Sequence, residues 1–170
     1  MSKKPLVSIV TPSFNQVKFL RLTIESVLSQ DYPNLEYIII DGGSSDGSAD
    51  IIQDYENQIS YWESIPDKGQ TDAINKGFAK AKGKYLAWLN SDDVYLPGAV
   101  SEAVGYLEEH PGVGMVYGDC TFIDVQGQKI GRFPAAQTDY ERLRRGYVHI
   151  PQQASFFRAD LWHRVGPLDP

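Results

Sequence analysis

The chain is poor in the residues from which several kinds of site are built. A single cysteine, Cys120, leaves no internal disulfide and no cysteine-rich zinc site, and it fits a reducing, cytoplasmic setting. The histidines, His110, His149 and His163, are too scattered to make a metal-binding pair on one helix. No apolar run approaches bilayer length. The start, Met1 to Pro5, leads into too few apolar residues for the core of a signal peptide, so any contact with a membrane would be peripheral or made by another segment. Positive charge is not in excess: the net charge of −6 argues against nucleic acid as a partner. There is no internal repeat, low-complexity stretch or linker. With 170 residues, 42% hydrophobic and 22% charged, the chain reads as one domain over 1–170 with a sizeable core.

What is present is an alternation of two periodicities. Leu6 to Val10 is a short β-rich run, broken by Thr11-Pro12-Ser13. Phe19, Leu20, Ile24, Val27 and Leu28 fall at helical spacing within Val17 to Gln30, and Asp31-Tyr32-Pro33-Asn34 ends that helix. Leu35 to Ile40 reads as a strand buried on both faces, as in a parallel sheet. A polar loop, Asp41 to Ser48, leads into a helix through Ile51, Ile52 and Tyr55. Strands follow at Ile59 to Ile65, Tyr85 to Leu89 and Val113 to Tyr117, with helices at Thr71 to Ala81 and Pro97 to Glu109. This order predicts an α/β fold with a mostly parallel central sheet flanked by helices. After Tyr117 the pattern changes. Cys120 to Asp124 and Lys129 to Phe133 flank a hairpin turn, a basic helix lies near Tyr140 to Arg145, and Ala154 to Phe157 is an apolar strand.

In open parallel sheets ligands bind beyond the carboxyl ends of the strands. Three polar clusters fall there: Thr11-Pro12-Ser13-Phe14-Asn15, Asp41-Gly42-Gly43, and Asn90-Ser91-Asp92-Asp93 behind the apolar run Tyr85 to Leu89. Their coincidence at one rim marks a site. Adjacent carboxylates at a strand mouth suit a hard divalent cation, although two solvated acids opening the next helix fit the local sequence equally well. Asp41 can accept from a base N–H or a ribose hydroxyl, and locally it also fits an Asx-turn. Asp46 reads as a turn or cap residue. Asp67 and Lys68 can face a diphosphate or a sugar, while Gln70 or Thr71 can start the next helix, with Asp72 favouring its dipole. Ala73 and Gly77 suggest close packing on the sheet, and Asn75 suggests a bridge between backbone groups. Tyr61, Trp62 and Trp88 can stack on sugars, but core packing explains them more simply. No dinucleotide fingerprint or P-loop is present. Arg142, Arg144 and Arg145 form a basic cluster that reads as a solvated face or as a surface for a phosphate-bearing lipid or acidic acceptor.

Taken in order, Thr11 to Asn15, Asp41 to Ser48, Asp67-Lys68-Gly69-Gln70 with Ala73 to Gly77, and Asn90 to Asp93 resemble family 2 glycosyltransferases; His149 to Arg158 resembles the family's acceptor-side segment. The resemblance implies the GT-A nucleotide-binding fold, with a donor part over about 1–118 and a partial acceptor part over about 119–170. It implies inverting transfer from a nucleotide-sugar donor, commonly UDP-linked, with Mg²⁺ or Mn²⁺, to a saccharide or lipid-linked acceptor in polysaccharide or cell-wall biosynthesis. The setting would be cytoplasmic or at the inner face of the membrane. By position, Thr11, Pro12 and Asn15 would line the base and ribose, Phe14 would also belong to the donor site, and Asp41 would hold the base. Asp67, Lys68, Gly69, Asn90 and Ser91 would complete the donor site. Asp92 would hold the metal, with Asp93 beside it.

Two departures qualify this resemblance. The first acid of the family's Asp-x-Asp element is Asn90. The family's general base lies beyond the segment ending in Pro170, so the expectation is a truncated catalytic domain that binds donor and metal but transfers poorly. A non-catalytic nucleotide-sugar-binding module with the same fold is the alternative, and truncation would expose apolar surface and favour self-association. A phosphoacceptor receiver domain would need an acid pair after its first strand, where this chain has Thr11-Pro12-Ser13.

Overall fold

The computed structural model describes residues 4–147 and 149–169. Readings that rest on Met1 to Lys3, Val148 or Pro170 lie outside that range. Strands β1 (Val7–Ser13), β2 (Leu35–Asp41), β3 (Tyr61–Ser64) and β4 (Tyr85–Trp88) alternate with helices α1 (Leu20–Leu28), α2 (Ser48–Asp54) and α3 (Gln70–Lys80). Then follow α4 (Ala99–Glu109), β5 (Met115–Tyr117), the hairpin β6 (Cys120–Ile123) and β7 (Lys129–Phe133), α5 (Tyr140–Arg144), a 3-10 turn (Gln152–Ala154), β8 (Ser155–Arg158) and α6 (Ala159–Val165). The main sheet has the order β3-β2-β1-β4-β8-β5; β6 and β7 form a separate pair.

β1 to β4 are mutually parallel. Their side chains alternate between two cores, as a sheet covered on both faces requires. Val7, Ile9, Tyr37, Ile39, Tyr85 and Ala87 meet α1, α2 and α4 on one face, while Val10, Ile38, Ile40 and Leu86 meet α3 and α6 on the other. α3 lies very close to β1: a Cβ on Gly77 would sit 2.3 Å from Val10 Cγ1. Asn75 bridges backbone groups, its amide donating to Leu168 O at 3.0 Å and its carbonyl accepting from Leu168 N at 2.9 Å. Trp88 belongs to an aromatic cluster with Phe78 and Phe157.

One expectation needs correcting. Thr11-Pro12-Ser13 does not break β1, which continues in register with β2 to the pair Ser13–Asp41. Pro12 is tolerated because even-numbered β1 residues turn their backbone groups toward β4, as Leu6 O and Val10 O do in accepting from Tyr85 N and Leu89 N. The β4 ladder ends at the Val10–Trp88 pair, so the missing Pro12 N–H costs no strand bond. β5 does not adjoin β4. β8 lies between them, antiparallel to both, with Phe156 and Phe157 buried on opposite faces.

Candidate functional site

The carboxyl ends of β1, β2 and β4 open on one cleft of about 730 Å³. That size suits a small-molecule ligand. Pro12 and Phe14 from the end of β1, Gly42 and Gly43 after β2, Asp67 and Gly69 before α3, and Asn90, Ser91 and Asp92 after β4 line it. Phe14 is exposed and Asp92 faces solvent, so the cleft has an aromatic edge and an acidic wall.

Hydrogen bonds between loops hold the rim. Asn15 adopts φ 53°, a left-handed conformation that asparagine accepts more readily than most residues. Its Oδ1 accepts from Ser45 N at 3.0 Å, and its own N donates to Ser44 Oγ at 2.8 Å. Asp46 ties the same loops, accepting from Val17 N at 2.9 Å and from Ser48 Oγ at 2.6 Å. Burial alone would raise the Asp46 carboxyl, but the bonds from Ser48 and Val17 outweigh it and leave the group below its usual range. Across the cleft, a Cβ on Gly42 would stand 3.0 Å from the Asp67 carboxylate, so glycine lets the two loops approach closely without moving that side chain.

The acidic loop after β4 is held from below by α1. Thr23 Oγ1 donates to Asp93 O at 2.8 Å and Tyr95 N donates to Ser26 Oγ at 3.1 Å. Gln30 closes the row, its Nε2 donating to Leu96 O at 3.0 Å and its Oε1 accepting from Val100 N at 3.3 Å. Above, Asn90 Nδ2 donates to Gln152 Oε1 at 3.1 Å and to Asp93 Oδ2 at 3.3 Å, and Asn90 Oδ1 accepts from Gln70 Nε2 at 2.7 Å. Burial, and after it the charge of Asp92, push the Asp93 carboxyl above the usual carboxylate range against the bond from Asn90.

The structure therefore brings together Pro12, Phe14, Asp67, Gly69, Asn90, Ser91 and Asp92. Five other expected residues are not among those that line the cleft. Thr11 is fully buried, its hydroxyl 3.0 Å from that of Tyr37. Asp41 is also fully buried, and its carboxylate accepts from Gly43 N, Ser44 N, Ser44 Oγ and Ser64 Oγ, the Asx-turn arrangement. Asn15 is a loop tie, and Lys68 is exposed with its N donating to Asp72 Oδ2 at 3.1 Å. Asp93 stands behind Asp92, away from the cleft lining.

Sequence reasoning gave no role of their own to Ser13 and Gln16, which line the cleft, or to Gln152. Ser13 is 4% exposed, and its Oγ is buried with no hydrogen-bond partner among the described residues. A buried unpaired hydroxyl beside a cleft is costly. Gln152 falls in the segment from His149 to Arg158, but its link to Asn90 spans 62 positions and is not written in neighbouring residues.

Residues 8–164 match the sequence pattern of Glycosyl transferase family 2. The chain belongs to that family. An uncharacterised glycosyltransferase of Mycobacterium tuberculosis is 35% identical over 99% of this chain and 64% of its own length. TuaG of Bacillus subtilis, named for teichuronic acid biosynthesis, is 38% identical over 62% of this chain and 43% of its own. The chain thus spans less than two thirds of the length of these family 2 relatives. Among solved structures, S. aureus TarS 1-349 in complex with UDP-GlcNAc superposes with a TM-score of 0.73 at 19% identity, covering 94% of this chain and 47% of that one. A mannosyltransferase of Pyrobaculum calidifontis in complex with GDP-Man and Mn²⁺ gives 0.74 at 19% identity, covering 99% and 48%. At these identities the likeness establishes the GT-A fold alone.

Among the described residues no group of three or more His, Cys, Asp or Glu side chains forms a metal cage. A diphosphate-bound Mg²⁺ does not need one, since it takes one or two protein carboxylates with phosphate oxygens and water. Exposed Asp92, with the half-buried Asp93 carboxylate next to it, fits that demand. No helix among the described residues is long and apolar enough to cross a membrane.

Proposed function

We propose that this domain binds a nucleotide-sugar donor, UDP-linked, in the rim cleft and serves its inverting transfer to an acceptor hydroxyl. The observation that carries the reading is the convergence of Phe14, Asp67 and Asp92 with the unpaired Ser13 hydroxyl around one cleft at the carboxyl ends of the strands. Base and ribose would lie along the β1 and β2 loops, with Phe14 as the stacking edge. The first turn of α3, whose Gly69 and Gln70 line the cleft, has amide groups without intrahelical partners and would face the diphosphate. Asp92, with Asp93 behind it, would hold Mg²⁺ or Mn²⁺, which supplies charge neutralisation for the departing diphosphate.

In the transfer itself the acceptor oxygen bonds to the anomeric carbon from the face opposite the diphosphate. The bond from that carbon to the phosphate oxygen breaks, and the hydroxyl proton passes to a carboxylate base. Residues 1–118 would form the donor part and 119–170 part of the acceptor side, for a saccharide or lipid-linked acceptor. Asp41 reaches a base only if Ser44 and Ser64 release it.

Calorimetry with UDP tests this reading. Binding is expected in the presence of Mn²⁺ and to weaken at least about tenfold on Asp92→Ala, the loss of one charge-assisted contact. Metal-independent binding indifferent to Asp92 would overturn the metal assignment, and absence of binding would overturn the donor site.

A further inference from the structure

The basic cluster near the C-terminal end is concave. Asp139 Oδ1 caps α5 by accepting from Arg142 N at 2.9 Å. Gly146, at φ 82°, ends it, and the chain folds back so that Tyr147 N donates to Arg142 O at 3.0 Å. Asp139, Glu141, Arg142, Arg145, Tyr147 and His149 then line a cavity of about 480 Å³ that shares no residue with the donor cleft. Its far wall is anchored to the hairpin: the His149 ring stacks on Phe133 with centroids 6.0 Å apart, and His149 O accepts from Ala136 N at 3.4 Å.

Two carboxylates and two guanidiniums line this cavity. Glu141 is paired with Arg144 at 3.0 Å, and Asp139 keeps its charge while capping the helix. Arg142 on α5 and Arg145 just after it stand three positions apart, and among the described residues neither has an ion-pair partner. Arg142 Nη1 donates to Gln137 O at 3.0 Å, which orients its guanidinium without neutralising it. Two guanidinium forks free of ion pairs in one cavity are the groups that hold a phosphate oxyanion bidentately.

We infer that this cavity binds a phosphate ester through Arg142 and Arg145, with Tyr147 and His149 alongside. His149 lies just ahead of Gln152, which holds Asn90 in the donor cleft, so the phosphate would belong to the acceptor. That last assignment rests on the transferase reading; phosphate binding itself does not.

The test is a ¹⁵N NMR titration of the whole chain with glycerol 3-phosphate, without nucleotide or metal. Saturable shifts are expected within 137–149, with none at Asp67 to Gln70 or Asn90 to Asp92. Arg142→Gln with Arg145→Gln should weaken binding at least about tenfold, and Arg142→Lys with Arg145→Lys should weaken it less because charge survives and the fork does not. Sedimentation with phosphatidic acid vesicles, against phosphatidylcholine alone, separates the sources. Pelleting that the double Gln variant loses marks a lipid headgroup; binding of the soluble ester without pelleting marks a free phosphate. Shifts spread over surface lysines and indifferent to the variants, or no saturable shift and no variant-sensitive pelleting, would overturn the inference. Phosphate binding here with no UDP binding at the rim would leave this site standing while the transferase reading fell.

Discussion

Asp41 shows how one carboxylate can organise a rim without facing a ligand. It accepts from two backbone amides and two serine hydroxyls, joining the loop after β2 to β3. Asp41→Ala leaves those donors unpaired in a buried place, and a loss of about 3 kcal/mol is expected in urea unfolding. Asp46 supplies a pH test. Its pKa in the folded chain lies below the ordinary 3.8, so the stability it contributes is complete above that value and is lost as pH falls through the lowered one. Asp46→Asn should therefore flatten the acid side of the stability profile below about pH 4 while changing its slope little near neutrality. Asp41 also marks what local sequence leaves open. Asx-turn and ligand contact call for the same residue before Gly42-Gly43, and only the position of Ser64, 23 residues on, shows which bonds the carboxylate makes.

At the scale of elements, two helical glycines make opposite predictions. An alanine at an exposed helix position is better than glycine by about 0.5–1 kcal/mol. Gly105 on α4 is exposed and a Cβ there meets open space, so Gly105→Ala should stabilise the chain by that amount. A Cβ on Gly77 of α3 would meet Val10 Cγ1 at 2.3 Å, and Gly77→Ala should instead cost about 1–3 kcal/mol through overpacking. Thermal melts of the two variants check the signs. The spacing of Ala73 and Gly77 made the close face of α3 legible. The polar row of Thr23 and Ser26 on α1 and Gln30 just after it was not, because its partners, from Asp93 to Val100, lie some 70 positions away. Thr23→Val removes the grip on Asp93 O; its expected effect is weaker metal-dependent UDP binding with the melt lowered by only a few degrees.

Over the whole molecule, the last part of the chain returns to complete what the first part begins. β8 enters the sheet between β4 and β5, Gln152 reaches Asn90, and Leu168 is clasped by Asn75. Asn75→Ala should raise hydrogen exchange at the Leu168 amide and lower stability by about 1 kcal/mol, leaving protection in β1 and β2 unchanged. Exchange at Leu168 equal to that of the parent chain would show that α6 and the aromatic cluster hold this segment without the clasp.

The sequence by itself determined the parallel β1 to β4 core, the helices between them, the late hairpin and the rim on which the polar clusters meet, because two-sided burial and helical spacing are written in neighbouring residues. Tertiary structure alone decided the continuation of β1 through Pro12, the place of β8, the engagement of Asp41 and Thr11 in internal bonds, and the roles of Ser13, Gln16 and Gln152. Each of these depends on which backbone or side-chain groups remain unpaired once distant segments have packed, and nothing local encodes that.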